Sequence, residues 1–363
     1  MTVSRQRQRH IIEFSLLALI VLIGAYLRMG QPGIVEFKRD EANLSLLALE
    51  MVHEGHVPLL GITSSVGLPN APMNVYVLSL PYFISDSPLV ATQFIGLLNV
   101  IAVALTYGLM RWYVGVWPAL MVILLFTTSP WGVMFSRKIW AQNMLPPFVI
   151  AVAGCAILGY IERKRWAQVA VWPLLAITGQ IHYGAVVIVP AVAMALWLGR
   201  RRIAWTPTIV GLLMALVVTL PYLVGLARAD LLSLDALHKA VQTDVTTADS
   251  APWYEPLRQA GMIVSGVEIH ALTGPERFLD FLATVPDAYP LFWLITVAVG
   301  AGTVWLIARA FRVTDRRTSV DLVVVVWLVA PIIIYLFDWT TFYIHYLIPM
   351  LPAAFIVLAL NWL

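Results

Sequence analysis

The sequence predicts an all-α polytopic membrane protein of about ten transmembrane helices, with in-plane helices in its first outer loop. Three observations predict it. Of the 363 residues, 60% are hydrophobic and only 12% are charged, a balance that soluble domains do not show. Ten apolar stretches approach or exceed the roughly 18–20 residues that cross a bilayer as a helix: residues 11–28, 89–110, 114–134, 144–161, 167–181, 185–199, 204–226, 288–308, 320–337 and 346–363. Basic residues gather at the ends of these stretches and form no basic domain, so the net charge of +3 gives no reason to expect nucleic acid.

Taken in order, the N-terminal "MTVSRQRQRH" precedes an apolar run that is long and lacks a small-residue cleavage site. It reads as an uncleaved anchor. Next comes a loop, 29–88, containing "GQPGIVEFKRDEANLSLLALE". Lys38, Arg39, Asp40 and Glu41 stand side by side there in a chain that otherwise avoids charge. Asp40 as N-cap with Glu41 in the first turn would explain them as a solvated helix start; a reaction centre would explain them as chemistry. The segment 72–84, "PMNVYVLSLPYFI", is too short to span. The remaining stretches follow with short connections, apart from a second loop at 228–286. The chain reads as a single membrane domain, 1–363, that ends inside an apolar stretch, as a short or truncated chain would. Cys155, alone and within a stretch, excludes an intrachain disulfide framework.

Lysine and arginine near span ends accumulate on the cytoplasmic side. With the N-terminus inside and 72–84 lying in the interface, 14 of the 23 basic residues fall inside; if 72–84 crossed, 14 would fall outside. The first arrangement is therefore expected, with both large loops outside. Arg137 and Lys138, in "FSRKIWAQNMLPPF", then break the rule, which an anionic ligand or snorkelling to outer-leaflet phosphates would explain. The stretches hold almost no ionisable side chains, unlike ion-coupled transporters. There is no phosphate loop, no H-E-x-x-H and no paired-cysteine metal motif.

The order of these features resembles the GT-C superfamily of multispanning glycosyltransferases, above all the protein O-mannosyltransferase and lipid A aminoarabinose transferase group. Asp40-Glu41 matches the acid pair opening the family's first outer loop, "NAPM" at 70–73 its H-P-P-like segment, and "SRKIW" at 136–140 its serine-arginine motif. "FYIHYLIPMLPAAFIVLAL" resembles its aromatic-basic lead into a proline-bearing helix. The chain departs from the family at Asn70-Ala71, at Thr92-Gln93 where relatives often carry arginine, and at Gln142-Asn143 where an acid often follows. The resemblance implies transfer of a sugar from a polyprenyl-phosphate donor to an extracytoplasmic acceptor at the plasma membrane. A transporter or flippase of a lipid-linked saccharide is the competing class. The implied roles are catalysis for Asp40 with Glu41 in support, and donor-phosphate contact for Arg137, Lys138, His345 and Tyr346. Acceptor or sugar contact falls to Asn70, Gln142, Asn143, Glu268 and His270. No metal ligand is assigned; a divalent cation, Mg or Mn, stays open, with Glu268 and His270 as candidate contacts. His182 reads as a polar cap.

Overall fold

Each of the ten expected stretches holds helix, though not always as one unbroken span. In the computed structural model, which describes residues 3–62, 69–233, 252–269, 275–284, 289–313, 315–337 and 342–361, the chain is a bundle of α-helices without a β-strand among the described residues. Helix α1 is Val3–Met29; α2, Arg39–Glu54, and α3, Met73–Tyr82, lie in the first loop. The bundle continues through α4 (Pro88–Val114), α5 (Val116–Thr128), α6 (Pro130–Phe135), α7 (Leu145–Ala156), α8 (Arg165–Ile181), α9 (Val189–Gly199) and α10 (Trp205–Arg228). In the second loop come α11 (Glu255–Ser265) and α12 (Pro275–Thr284), followed by α13 (Tyr289–Ala310), α14 (Arg316–Tyr335) and α15 (Leu351–Leu360).

Among the described residues six segments are long and apolar enough to cross a membrane: Gln6–Met29, Pro88–Val114, Ala141–Ile161, Trp205–Arg228, Pro290–Ala310 and Arg316–Tyr335. Three more, Val116–Thr128, Tyr183–Gly199 and Ile344–Leu360, are apolar but shorter. The protein is a multi-pass membrane protein. Several expected spans are broken, each for a local reason. Residues 114–134 divide at Ser129-Pro130, where the Ser129 hydroxyl accepts from the Gly132 N–H (3.3 Å) and restarts the helix as α6. The turn from α4 to α5 is Gly115 at φ 83°, a left-handed conformation costly for any side chain. Helices α7, α9 and α15 begin beyond 3-10 turns at Ala141–Met144, Tyr183–Ile188 and Ile344–Met350.

The core centres on α7 and α15, which are buried almost throughout. Trp327 of α14 is fully buried and its indole N–H donates to the Pro349 carbonyl (2.7 Å). Outward faces of α1, α10 and α13 are apolar and exposed, as at Leu22, Val217 and Val297, which is what hydrocarbon solvent requires.

The sequence leads one to expect almost no charge within spans, and α1 corrects that. Glu13 lies inside the stretch 11–28 and is buried. It is tolerated because α4 runs antiparallel beside it and supplies Arg111 (2.5 Å) and Tyr107 (2.6 Å) as donors. This contact also fixes topology: the end of α4 lies beside the start of α1. With α3 only ten residues long, about 15 Å against a hydrocarbon core of roughly 30 Å, residues 72–84 do not cross. Glu162, bonded to Tyr113 (3.2 Å) and Arg316 (2.5 Å), brings the ends of α4 and the 157–161 turn and the start of α14 together at the same end.

At the opposite end Arg28 is 1% exposed. Its two terminal nitrogens donate to the carbonyls of Thr127 (2.7 Å) and Phe126 (2.9 Å), the last groups of α5. The Arg28 carbonyl in turn lies where a Cβ on Gly96 would come within 2.7 Å, so glycine lets α4 cross α1 closely. Arg28→Met keeps length but strands two carbonyls, each costing about 1–3 kcal/mol when buried and unpaired. The midpoint of thermal unfolding in detergent is expected to fall by several degrees; an unchanged midpoint would mean that water or lipid already serves those carbonyls.

Candidate active site

Four segments meet at the Arg28 end: the end of α1, residues 34–41, the turn 136–145 and the turn 342–346. Arg137 joins the first of these to the third. Its guanidinium donates to the carbonyls of Leu27 (2.8 Å), in the last turn of α1 where intrahelical partners run out, and of Gly30 (2.7 Å) and Gln31 (2.7 Å), just beyond it. Burial holds its pKa below the usual arginine value. Arg137 is thus placed as a clamp on α1, with both terminal nitrogens occupied.

Lys138 follows and points into a pair of carboxylates. Its ammonium contacts Glu36 and lies 3.0 Å from Glu41, and it stands over the Trp140 ring, 3.5 Å from the centroid. Glu41 is 1% exposed and also accepts the Lys38 backbone N–H (3.0 Å), the reciprocal half of a capping box. Glu36 in addition takes the Lys38 ammonium (2.6 Å). Burial raises the Glu36 pKa, but the two lysines outweigh it and hold the carboxyl below its ordinary range.

Asp40 is not the cap. The helix starts at Arg39 with Lys38 in the cap position, and Asp40 is exposed, its carboxylate without a partner among the described residues. Adjacent residues on a helix diverge by about 100°, so one member of the acid pair goes inside and the other faces out. Arg39 is likewise exposed beside it.

The 342–346 turn closes the other side. His345 meets Trp140 edge-on (5.1 Å) and stacks on Tyr343 (5.4 Å), while Tyr346 packs against His345 (4.6 Å) and His182 (5.7 Å). His182 is a cap, as its position suggests: Nδ1 accepts from the Gly184 N–H (3.0 Å), and burial lowers its pKa to about 4, so the ring is neutral. Gln142 and Asn143 are buried; the Asn143 side-chain amide donates to the Lys138 carbonyl (2.9 Å), and the Asn143 backbone carbonyl accepts from the Asn99 side-chain amide (2.9 Å). These bonds shape the turn that carries Lys138. The Asn70 side-chain amide donates to the Ile62 carbonyl (3.0 Å).

Glu268, at φ 55°, pairs with Arg258 (3.1 Å), which also forks onto Glu255. An open cavity of about 370 Å³ brings Glu268 and His345 together, with Trp131, Arg258 and Tyr343 in its wall. The Trp131 indole donates to the Val267 carbonyl (3.1 Å), tying the second loop to α6. His270 lies outside the described residues. Glu36, Arg28 and Arg258 were not singled out by sequence; each is defined by a partner remote in the chain or by a turn that no periodicity marks. Among the described residues no three His, Cys, Asp or Glu side chains gather as metal ligands. The two carboxylates that do converge hold the Lys138 ammonium, so this cluster does not fit a metal, and no step is assigned to one.

No family model and no curated protein matches the sequence. Solved structures do match. ArnT from Cupriavidus metallidurans bound to undecaprenyl phosphate superposes with a TM-score of 0.64 at 15% identity, over 97% of this chain and 59% of that one. The Archaeoglobus fulgidus oligosaccharyltransferase in complex with Zn and sulfate superposes with a TM-score of 0.60 at 14% identity, over 96% of this chain and 49% of that one. The fold is the GT-C fold. The chain spans about half to three-fifths of the length of these GT-C neighbours.

Since an arginine forks onto carbonyls and a lysine cannot, Arg137→Lys is expected to lower the unfolding midpoint of the purified protein. Of three hydrogen bonds, the lysine can hold one or two. A midpoint equal to the parent's would show that the clamp does not hold α1.

Proposed function

We propose that this protein is a membrane glycosyltransferase that moves a sugar from a polyprenyl-phosphate donor to an acceptor on the extracytoplasmic face. The observation that carries the reading is the division of the Asp40-Glu41 pair within a GT-C fold. A carboxylate free to take a proton stands one residue from a carboxylate that is buried to hold a cation. One GT-C neighbour is described with bound undecaprenyl phosphate and another with a tethered acceptor peptide, which supports a lipid-borne donor and an outside acceptor for this fold.

In this reading the Asp40 carboxylate accepts the proton of an acceptor hydroxyl as its oxygen bonds to the anomeric carbon. The bond from that carbon to the phosphate oxygen breaks, and the lipid phosphate leaves with the electron pair. General-base help of this kind supplies about 10²–10⁴-fold. Lys138, oriented by Glu41 and Trp140, offsets charge on the phosphate, where a cation held in a partly dry site acts more strongly than in water. Arg137 acts through position, since its clamp on α1 aims the residue that follows it. The cavity between Glu268 and His345 offers an aromatic and polar wall to a sugar or acceptor. The N-terminus is then cytoplasmic, and the Lys138 end faces outside.

Asp40→Asn is expected to abolish release of undecaprenyl phosphate from the sugar donor, a loss of at least about 10²-fold. The unfolding midpoint should stay unchanged, because the side chain is exposed. The assay uses a panel of undecaprenyl-phosphate hexoses and pentoses; turnover within a few-fold of the parent would remove Asp40 from the chemistry. Orientation is tested separately. In a Cys155→Ala background a cysteine replacing Glu54 should react with an impermeant thiol reagent added to intact cells, whereas one replacing the exposed Trp166 should not. The opposite pattern would place the site in the cytoplasm.

A further inference from the structure

Lys38 and Lys138 come from segments a hundred residues apart, yet both ammonium groups converge on one anion, the Glu36 carboxylate. Two cations on one anion are how proteins seat a phosphate. Glu36 differs from Glu41 in what holds it. Glu41 is buried on α2 and pinned by a backbone N–H, whereas Glu36 is half-buried on residues 35–38, which belong to no helix. Its neighbours Ile34 and Phe37 are apolar and exposed, 65% and 50%, so the anion position opens beside a surface suited to lipid.

We infer that Lys38 and Lys138 form the seat of the donor's lipid-linked phosphate, and that Glu36 occupies this seat until the phosphate displaces it. This rests on the glycosyltransferase reading and adds to it a phosphate ligand, Lys38, and a carboxylate that competes with the substrate. The exchange keeps charge in balance. With Glu36 in place the four groups Glu36, Glu41, Lys38 and Lys138 sum to zero, and a phosphate that replaces the carboxylate leaves neither lysine unpaired. The buried Lys138 therefore never faces an apolar site alone, which would be the costly state. Glu36, on its irregular segment, swings to solvent without melting a helix. The exposed apolar pair assigns the phosphate to a lipid rather than to the free ion.

The test is equilibrium binding of radiolabelled undecaprenyl phosphate to the full chain in nanodiscs. Glu36→Gln removes the competing charge and is expected to bind about tenfold tighter than the parent, the scale of one charge-assisted hydrogen bond. Lys38→Gln is expected to bind roughly threefold weaker, a modest loss because the side chain is 72% exposed. Its exposure also keeps folding out of the comparison. Inorganic phosphate at millimolar concentration should not compete. Binding by Glu36→Gln that equals or falls below the parent's would overturn the competition while leaving the glycosyltransferase reading standing, since the parent binds. Unchanged binding by Lys38→Gln would remove Lys38 from the seat, and competition by inorganic phosphate would reassign the seat to the free ion. No binding by any of the three proteins would overturn both readings together.

Discussion

Everything at the Lys138 end depends on how two helix ends satisfy their carbonyls. A helix leaves its last four carbonyls without partners, and within a bilayer there is no water to take them. Here arginines take them. Arg28 closes α5 through Phe126 and Thr127, and Arg137 closes α1 through Leu27, Gly30 and Gln31. The guanidinium fork suits this task because one side chain reaches several acceptors at once. The result is a loop of constraint in which α1 holds the end of α5, and the turn beyond α6 holds the end of α1. Lys138 follows Arg137 directly, so its approach to Glu36 and Glu41 is set by the clamp.

Electrostatics then sorts residues that look alike in one dimension. Asp40 and Glu41 are neighbours in sequence but not in space, since a helix turns them onto different faces. Glu41 gains a cation and a backbone donor and loses access to solvent; Asp40 keeps access and gains nothing. Arg137 and Lys138 divide in the same way, one spent on carbonyls and one on carboxylates. The site therefore shows no bare buried cation, and its net charge is small. In the proposed reading a substrate anion enters by exchange with a carboxylate already there, which gives the irregular segment 34–38 its part in the site.

The fold class was legible because it follows from composition and length alone, and residues 72–84 were legible as non-crossing because thirteen residues are too few to span a bilayer and the basic residues then group on one side. Grouping of the basic residues was legible too: Arg111 and Arg316 share one end with Glu13 and Glu162 as partners. The uses of individual charges were not. Arg137 reads as a ligand for an external anion until its partners, 106 to 110 residues away, are seen. Glu36 sits in no periodic pattern, and Glu13 hides within an apolar run that its own charge scarcely weakens. Hydrophobic period reports which face is buried; it carries no trace of which distant carbonyl a guanidinium will find.

One pattern was written in the sequence and becomes meaningful only in three dimensions. Prolines stand at the second position of α7, α9 and α15, at Pro146, Pro190 and Pro352, and each helix is preceded by a 3-10 turn. Proline is tolerated there because its missing N–H is one that a helix start cannot use. The residues before those three turns are Trp140, His182 and Tyr343, and ring contacts join them through His345 and Tyr346. Three segments thus begin around one aromatic cluster, beside Lys138. Each helix start carries a partial positive charge of about half a unit, close enough to act on the cluster though softened by the turn between. Where the side chains nearly cancel in charge, these helix starts add a fixed positive contribution from backbone. That arrangement lets Lys138 stay paired in the resting protein while the surroundings still favour an anion.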